Sequence, residues 1–312
     1  MSRALNNHND INQETRKIVL DAAKELNYRP NSVARSLINN KTYTIGLMVP
    51  DIADPFFSSI AVGVENALSS KGYQVVYGNT LRDPLKEKTF IESVFDRKMD
   101  GVILTPNVLD QDSIALLEKL KVPGVFLRRR TPEGLKIPFI DVDHYGGACG
   151  AVNHLISKGH TNIGFMGMTK DSFTSNERLR GYIDTMYQHQ LDVREDSIKI
   201  AGRTIESGRM AMEQLYHENP NMTALFASND LLGIGALEWL AKNDIRVPEQ
   251  MAVIGFDNLE LSELHWIQLS TMAQPRKTMG QLAAELLLRM INKEKDTDSI
   301  VLETNLIERK TS

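Results

Sequence analysis

Thr44-Ile45-Gly46-Leu47-Met48-Val49-Pro50 is an apolar run closed by a proline, and ahead of it stands the short basic segment Tyr28-Arg29-Pro30-Asn31-Ser32-Val33-Ala34-Arg35-Ser36-Leu37. A continuous apolar run of this length reads as a strand buried on both faces. Further runs of the same kind recur at 74–80, 100–106, 122–128, 138–142, 162–168, 197–201, 223–228, 251–256 and 300–308. Between them, 57–72, 86–98, 113–121, 146–158, 176–189, 207–218, 231–243 and 277–292 carry apolar residues at helical spacing. Such alternation builds parallel sheets covered by helices on both faces, and this many strands divide more naturally between two sheets than into one. Asp141-Val142-Asp143 marks the division. Pro275, the long helix behind it and the final strand imply that the chain passes between the halves more than once, making a hinge and a cleft that can close on a small molecule.

The 312 residues are 42% hydrophobic and 24% charged, the composition of an ordinary globular chain with room for two medium domains and an appendage. The start is polar, without a signal-peptide core, and no run is long enough to span a bilayer. A single cysteine, Cys149, excludes an intrachain disulfide, and a cytoplasmic location is expected. Charge is unevenly spread: residues 1–42 hold seven basic against four acidic side chains, +3, so the remainder carries −7 of the overall −4. A basic head on an acidic body fits a protein whose front meets phosphates, although a solvated helical face reads equally well from charge alone. No catalytic or metal constellation emerges. Gly146-Gly147-x-x-Gly150 lacks the lysine of a phosphate loop, and His154 and His160 lack ligand spacing, so no enzyme activity and no cofactor are expected.

The segment 28–37, together with Val49-Pro50-Asp51-Ile52-Ala53-Asp54-Pro55-Phe56-Phe57, Asp100-Gly101-Val102-Ile103, Gly159-His160-Thr161-Asn162-Ile163-Gly164, Glu177-Arg178-Leu179-Arg180-Gly181-Tyr182, Ala227-Ser228-Asn229-Asp230, Ile254-Gly255-Phe256-Asp257-Asn258 and Leu306-Ile307-Glu308-Arg309, resembles the LacI/GalR family of regulators in order and spacing across nearly the whole chain. The resemblance implies an α/β fold: a two-lobe, periplasmic-binding-protein-like (type I) sensor with two doubly wound parallel sheets, preceded by a partial helical DNA-binding domain and a hinge helix. Residues 1–29 then correspond to the remnant of a helix-turn-helix and 30–41 to the hinge helix and linker. The N-terminal lobe spans 42–142 and 275–298, and the C-terminal lobe 143–274 and 299–312. In this family the second helix ends in a Val-Ser-Arg-x-Leu-Asn pattern, and Met1-Ser2-Arg3-Ala4-Leu5-Asn6 begins inside it. The expectation is a truncated helix-turn-helix whose third helix, from about Asn12 to Leu26, has lost the partner of its Ile18, Val19, Ala22, Ala23 and Leu26 stripe and is at best marginally helical.

The partners so implied are operator DNA, a carbohydrate effector and a second copy of the chain, with no membrane; the alternative is a sugar-binding receptor without DNA-binding activity. DNA contacts fall on Ser2, Arg3 and Asn6 of the recognition-helix remnant, and on Tyr28, Asn31, Ser32, Ala34, Arg35 and Leu37 of the hinge, where Leu37 matches the family's minor-groove wedge. Effector contacts fall on Phe56, Phe57, Asp143, Thr174, Arg178, Asn229 and Asp257, types that suit a sugar: carboxylate and amide for hydroxyls, a guanidinium fork for paired oxygens, phenyl for the ring face. For Asp257 a turn role, and for Asp230 a helix cap, remain open. Arg128, within Arg128-Arg129-Arg130, stands where relatives often carry a polar or acidic residue, and Arg203 where an aromatic is frequent. Arg128 or Arg203 acting with Arg178 would select a phosphorylated or acidic sugar, since an anion would complete a buried guanidinium; solvent-facing loop arginines are the competing reading.

Overall fold

The computed structural model describes residues 12–26, 41–107 and 110–312 and falls into two units, Met1–Thr42 and Tyr43–Ser312. In the first unit, α1 (Gln13–Glu25) is formed, capped by the Asn12 side chain, which accepts from the Glu14 amide. The stripe expected of it is only partly covered: Ala23 is buried, whereas Ile18 and Leu26 are exposed. Ser2, Arg3, Asn6, Tyr28, Asn31, Ser32, Ala34, Arg35 and Leu37 lie outside the described residues.

The second unit holds two six-stranded sheets. In the first, β1 (Thr44–Val49), β2 (Gln74–Asn79), β3 (Gly101–Leu104), β4 (Gly124–Leu127), β5 (Phe139–Val142) and β11 (Ile300–Leu302) run in the order β11-β5-β4-β3-β1-β2, all pairs parallel. In the second, β6 (Ile163–Gly167), β7 (Ile198–Ile200), β8 (Ala224–Ala227), β9 (Ala252–Asp257), β10 (Ser270–Ala273) and β12 (Asn305–Ile307) run β12-β10-β9-β8-β6-β7, with only β12 antiparallel. Alternate residues of each strand feed opposite faces. Ile45, Leu47 and Val49 pack under α2 (Pro55–Ser69) and α9 (Arg276–Ile291), while Met48 and Val102 face α3 (Pro84–Asp96) and α4 (Gln111–Glu118). The second sheet is covered likewise, by α7 (Ile205–Glu218) and α8 (Asp230–Lys242) on one face and α5 (His144–Ser157) and α6 (Phe173–Gln188) on the other.

Two expectations are corrected by the topology. The run 300–308 is not one strand: Ile300–Leu302 pairs in parallel with β5, while Asn305–Ile307 pairs antiparallel with β10. Residues 299–302 therefore belong to the first sheet, and the last crossing falls at Glu303-Thr304. Hydrophobic pattern reports burial but not which sheet receives the strand. β10, unanticipated, carries two hydroxyls in four residues and is buried because those hydroxyls are satisfied inside: Thr271 Oγ1 donates to Asp230 Oδ1 at 2.6 Å, and Ser270 Oγ accepts from the Arg309 amide at 2.9 Å.

Within each lobe a helix pair meets backbone to backbone through reciprocal glycines. A Cβ on Gly280 of α9 would sit 2.1 Å from the Ile60 carbonyl oxygen, and one on Gly63 of α2 2.1 Å from that of Lys277. Gly208 and Gly235 play the same part between α7 and α8, with 2.5 and 2.1 Å to Leu232 and Ile205 carbonyls. No side chain can yield there. Gly280→Ala is expected to lower unfolding free energy by about 2–3 kcal/mol or more, read from a urea transition.

Candidate functional site

The carboxyl ends of both sheets face each other, the place where open parallel sheets bind ligands. Between them lies a cavity of about 50 Å³. The first lobe lines it with Pro50, Phe57, Arg82, Asn107, Arg128 and Arg129, and the second with Ser172, Thr174 and Arg203.

Arg128 directly follows β4 and takes a left-handed backbone, φ 60°. Its guanidinium carbon lies 4.3 Å from the centroid of Phe56 and 5.6 Å from that of Phe57, a cation–π arrangement that substitutes an aromatic face for a counter-ion. Nη2 approaches Thr174 Oγ1 of the other lobe at 3.5 Å. Arg203 donates to Thr169 Oγ1 at 2.6 Å, and burial, then the positive charges of Arg82 and Arg128, pull its pKa down to about 10. Arg129 is lowered too, by burial against the opposing pull of Glu87, and donates to the Asn107 carbonyl at 2.8 Å. Of the four arginines only Arg82 is paired with carboxylates, Asp51 at 3.2 Å and Asp54 at 3.3 Å; among the described residues no carboxylate lies within 4.0 Å of Arg128, Arg129 or Arg203.

Beneath this rim runs a buried polar floor. The Arg178 guanidinium is fully buried, stacked 3.7 Å from the centroid of Phe256. Nη1 donates to the Ser228 carbonyl, and Nη2 lies 3.5 Å from Asp257 Oδ1 and donates to His144 Nδ1 at 3.1 Å. Because Nδ1 accepts, the imidazole proton resides on Nε2, which donates to Asp141 Oδ1 at 3.0 Å. Gln274 Nε2 closes the chain on Asp257 Oδ1 at 2.6 Å. Burial pushes His144 down to about 4, so it is neutral at physiological pH, and pushes Asp257 up to about 6 despite Arg178. Six buried side-chain polar atoms among the described residues lack a hydrogen-bond partner, and five of them, Arg128 Nε, Asp141 Oδ2, Arg178 Nε, Ser228 Oγ and Gln274 Oε1, gather where the lobes meet. Unpaired buried donors and acceptors are costly, and a polyhydroxylated guest could satisfy them.

Of the residues singled out from sequence, Phe57, Arg128, Thr174 and Arg203 line the cavity, Phe56 supports Arg128, and Arg178 and Asp257 lie in the buried network outside the cavity lining. Asp143 and Asn229 are helix caps, accepting from the Gly146 and Leu232 amides at 2.8 Å each, and do not line the cavity. Asp230 caps nothing; it accepts from the Leu259 amide, Ser262 and Thr271. Arg82, Asn107, Arg129, Asp141, His144 and Gln274 were not singled out. Arg129 alone had a sequence signal, the Arg128-Arg129-Arg130 run. Among the described residues no helix is long and apolar enough to cross a membrane, and no cluster of three His, Cys, Asp or Glu could hold a metal.

A jaw hinged by three chain crossings, with polar groups converging at its base, is the architecture of a two-lobe ligand sensor of the periplasmic-binding-protein kind. Residues 152–312 match the family described as a periplasmic binding protein-like domain, and residues 1–31 match the bacterial regulatory proteins of the lacI family. The repressor CytR of Escherichia coli K12 is 33% identical over 310 residues, covering 99% of this chain and 91% of that protein. The transcriptional regulator CelR in complex with cellobiose superposes with a TM-score of 0.80 at 30% identity, covering 100% of this chain and 94% of that one. A sugar-binding LacI-family regulator from Escherichia coli, complexed with phosphate, gives 0.77 at 29% identity over 87% of this chain and 99% of that one. The chain belongs to the LacI family: it is a transcriptional regulator with a sugar-binding-type sensor, not an enzyme.

His144 predicts a pH dependence. The unfolded imidazole takes a proton near pH 6.5, the folded one only near 4, so below pH 6.5 the unfolded chain binds more protons and stability falls with acidification. His144→Gln keeps a neutral donor for Asp141 but does not titrate. Its stability deficit against wild type at pH 7.5 should shrink by about 1–2 kcal/mol at pH 5, measured by denaturant unfolding at both values.

Proposed function

We propose that this regulator acts as a homodimeric repressor of palindromic operator DNA whose grip is set by an anionic carbohydrate, a sugar phosphate or sugar acid, bound in the interlobe cleft. The observation that carries the reading is the charge of the cavity wall: Arg128, Arg129 and Arg203 face one cavity with no carboxylate within ion-pair distance among the described residues. A neutral sugar leaves that charge unanswered, whereas a phosphate or carboxylate offers paired oxygens to guanidinium forks. The unpartnered floor atoms suit the hydroxyls of the same molecule. That a related regulator has been seen with phosphate supports the reading. Phe57 and the Arg128-covered Phe56 supply the apolar side that a sugar ring needs.

Dimerisation has support in the first lobe, where Val62 of α2 and Leu85 of α3 are 47% and 75% exposed, along with Ile52 and Leu81. The hinge segment 30–41, with Asn31, Ser32 and Arg35 against the backbone and Leu37 as the wedge, would link lobe placement to the minor groove. Effector and operator would then alter each other's affinity by one and the same factor.

Calorimetry with D-glucose and D-glucose 6-phosphate tests the anion reading in its simplest form, extended to other sugar and sugar-phosphate pairs. The phosphorylated partner is expected to bind at least about tenfold more tightly, and Arg203→Gln to erase most of that preference; tighter binding of the neutral sugar across the pairs would overturn it. Leu37→Ala is expected to weaken operator binding by about tenfold or more in a mobility-shift titration while leaving effector affinity unchanged.

A further inference from the structure

The mouth of the cleft is bridged by four side chains drawn from both lobes. Asn107, in the loop after β3, is the first-lobe member. Its amide Nδ2 donates to Asp171 Oδ2 at 3.1 Å, and its Oδ1 lies 3.5 Å from Arg203 Nη2, both partners belonging to the second lobe. Its backbone is clamped on its own side, N–H on Glu87 Oε1 and carbonyl on Arg129, each at 2.8 Å. Within the second lobe Arg203 Nη2 donates to Thr169 Oγ1 at 2.6 Å, two residues before Asp171. Asn107 thus stands as a neutral relay between the Arg203 guanidinium and the Asp171 carboxylate. The Thr169 hydroxyl, with Asn107 and Arg203 behind it, holds the Asp171 carboxyl below the usual carboxylate range.

We propose that Asp171 is a built-in counter-ion: its exposed carboxylate answers Arg203 from the rim, ties the lobes together through Asn107, and competes with the anionic group of an incoming effector. This rests on the anion reading of the cleft and adds to it a residue that sets affinity. Three features carry it. Asp171 is charged, at the rim, and outside both cores, so it has no packing duty to explain it. Its donors are ones an effector phosphate or carboxylate could use. And Asn107 reaches it across the gap between lobes, so its charge and the closure of the jaw are coupled. An effector anion that enters takes over Arg203 and meets the repulsion of Asp171, which weakens its binding the more negative charge it carries.

The test uses the full chain and inorganic phosphate as the probe, titrated by thermal melting at constant ionic strength held with potassium chloride. Asp171→Asn keeps an acceptor for Asn107 and removes only the charge. It is expected to lower the half-saturating phosphate concentration by about threefold to tenfold, whereas Asn107→Ala, which keeps the charge and cuts the tie, should change it less and enlarge the radius of gyration in solution scattering. Equal phosphate response in wild type and Asp171→Asn overturns the counter-ion role and leaves the anion reading standing. No response to phosphate in either protein, with a clear response to neutral sugars, overturns both. Should Asp171→Asn melt without a cooperative transition, Asp171→Ser, which also lacks the charge, is held to the same half-saturation shift.

Discussion

A buried guanidinium needs partners for its charge, and those that Arg178 finds tie the sensor together. Its partners come from different parts of the chain: the Ser228 carbonyl after β8, Asp257 at the end of β9, the Phe256 ring, and His144 at the start of α5. Through the neutral imidazole the network reaches Asp141, a residue of the first sheet, and through Gln274 it reaches the second crossing between lobes. Removing either Arg178 or Asp257 would leave the other charge buried without its opposite, which costs far more than the pair contributes when intact. The crossings between lobes are thus tied by this network as well as by covalent connection.

The site above this floor is of a different character. Its arginines sit on loops, half-buried, answered by aromatic faces, carbonyls and hydroxyls more than by acids. A cation over a phenyl ring is satisfied modestly, so the charge is still available to an anion. Floor and rim therefore divide the work: the floor is a preorganised polar surface with several unspent hydrogen-bonding atoms, and the rim supplies net positive potential and the contacts that cross between lobes.

Much of the body was legible in the sequence, because apolar runs and helical periodicity are direct records of burial. The helices begin within about three residues of where the periodicity puts them, often at an Asp or Ser cap such as Asp54, Asp83 or Ser172. What could not be read was anything decided by distant partners. β10 is polar in sequence and buried only because Asp230 receives Thr271. The strands at 300–302 and 305–307 look like one run because periodicity does not say which sheet will take a residue. In the site, Arg128 and Arg203 drew attention as departures from family habit, whereas Asp143 and Asn229 fit the pattern of ligand contacts and serve as caps, since an oxygen beside a helix start looks the same in either role. His144, Asn107 and Asp171 carry no local signature; their importance exists only in three dimensions.

The backbone-to-backbone seating of α2 on α9, and of α7 on α8, leaves no compressible layer inside either lobe. A lobe assembled that way suits a stiff lever arm, in which work done at one end would reach the other with little absorbed along the way. Natural variation has a corresponding asymmetry to exploit. Residues of the rim meet no such constraint, so exchanging them leaves the packing of these helices untouched.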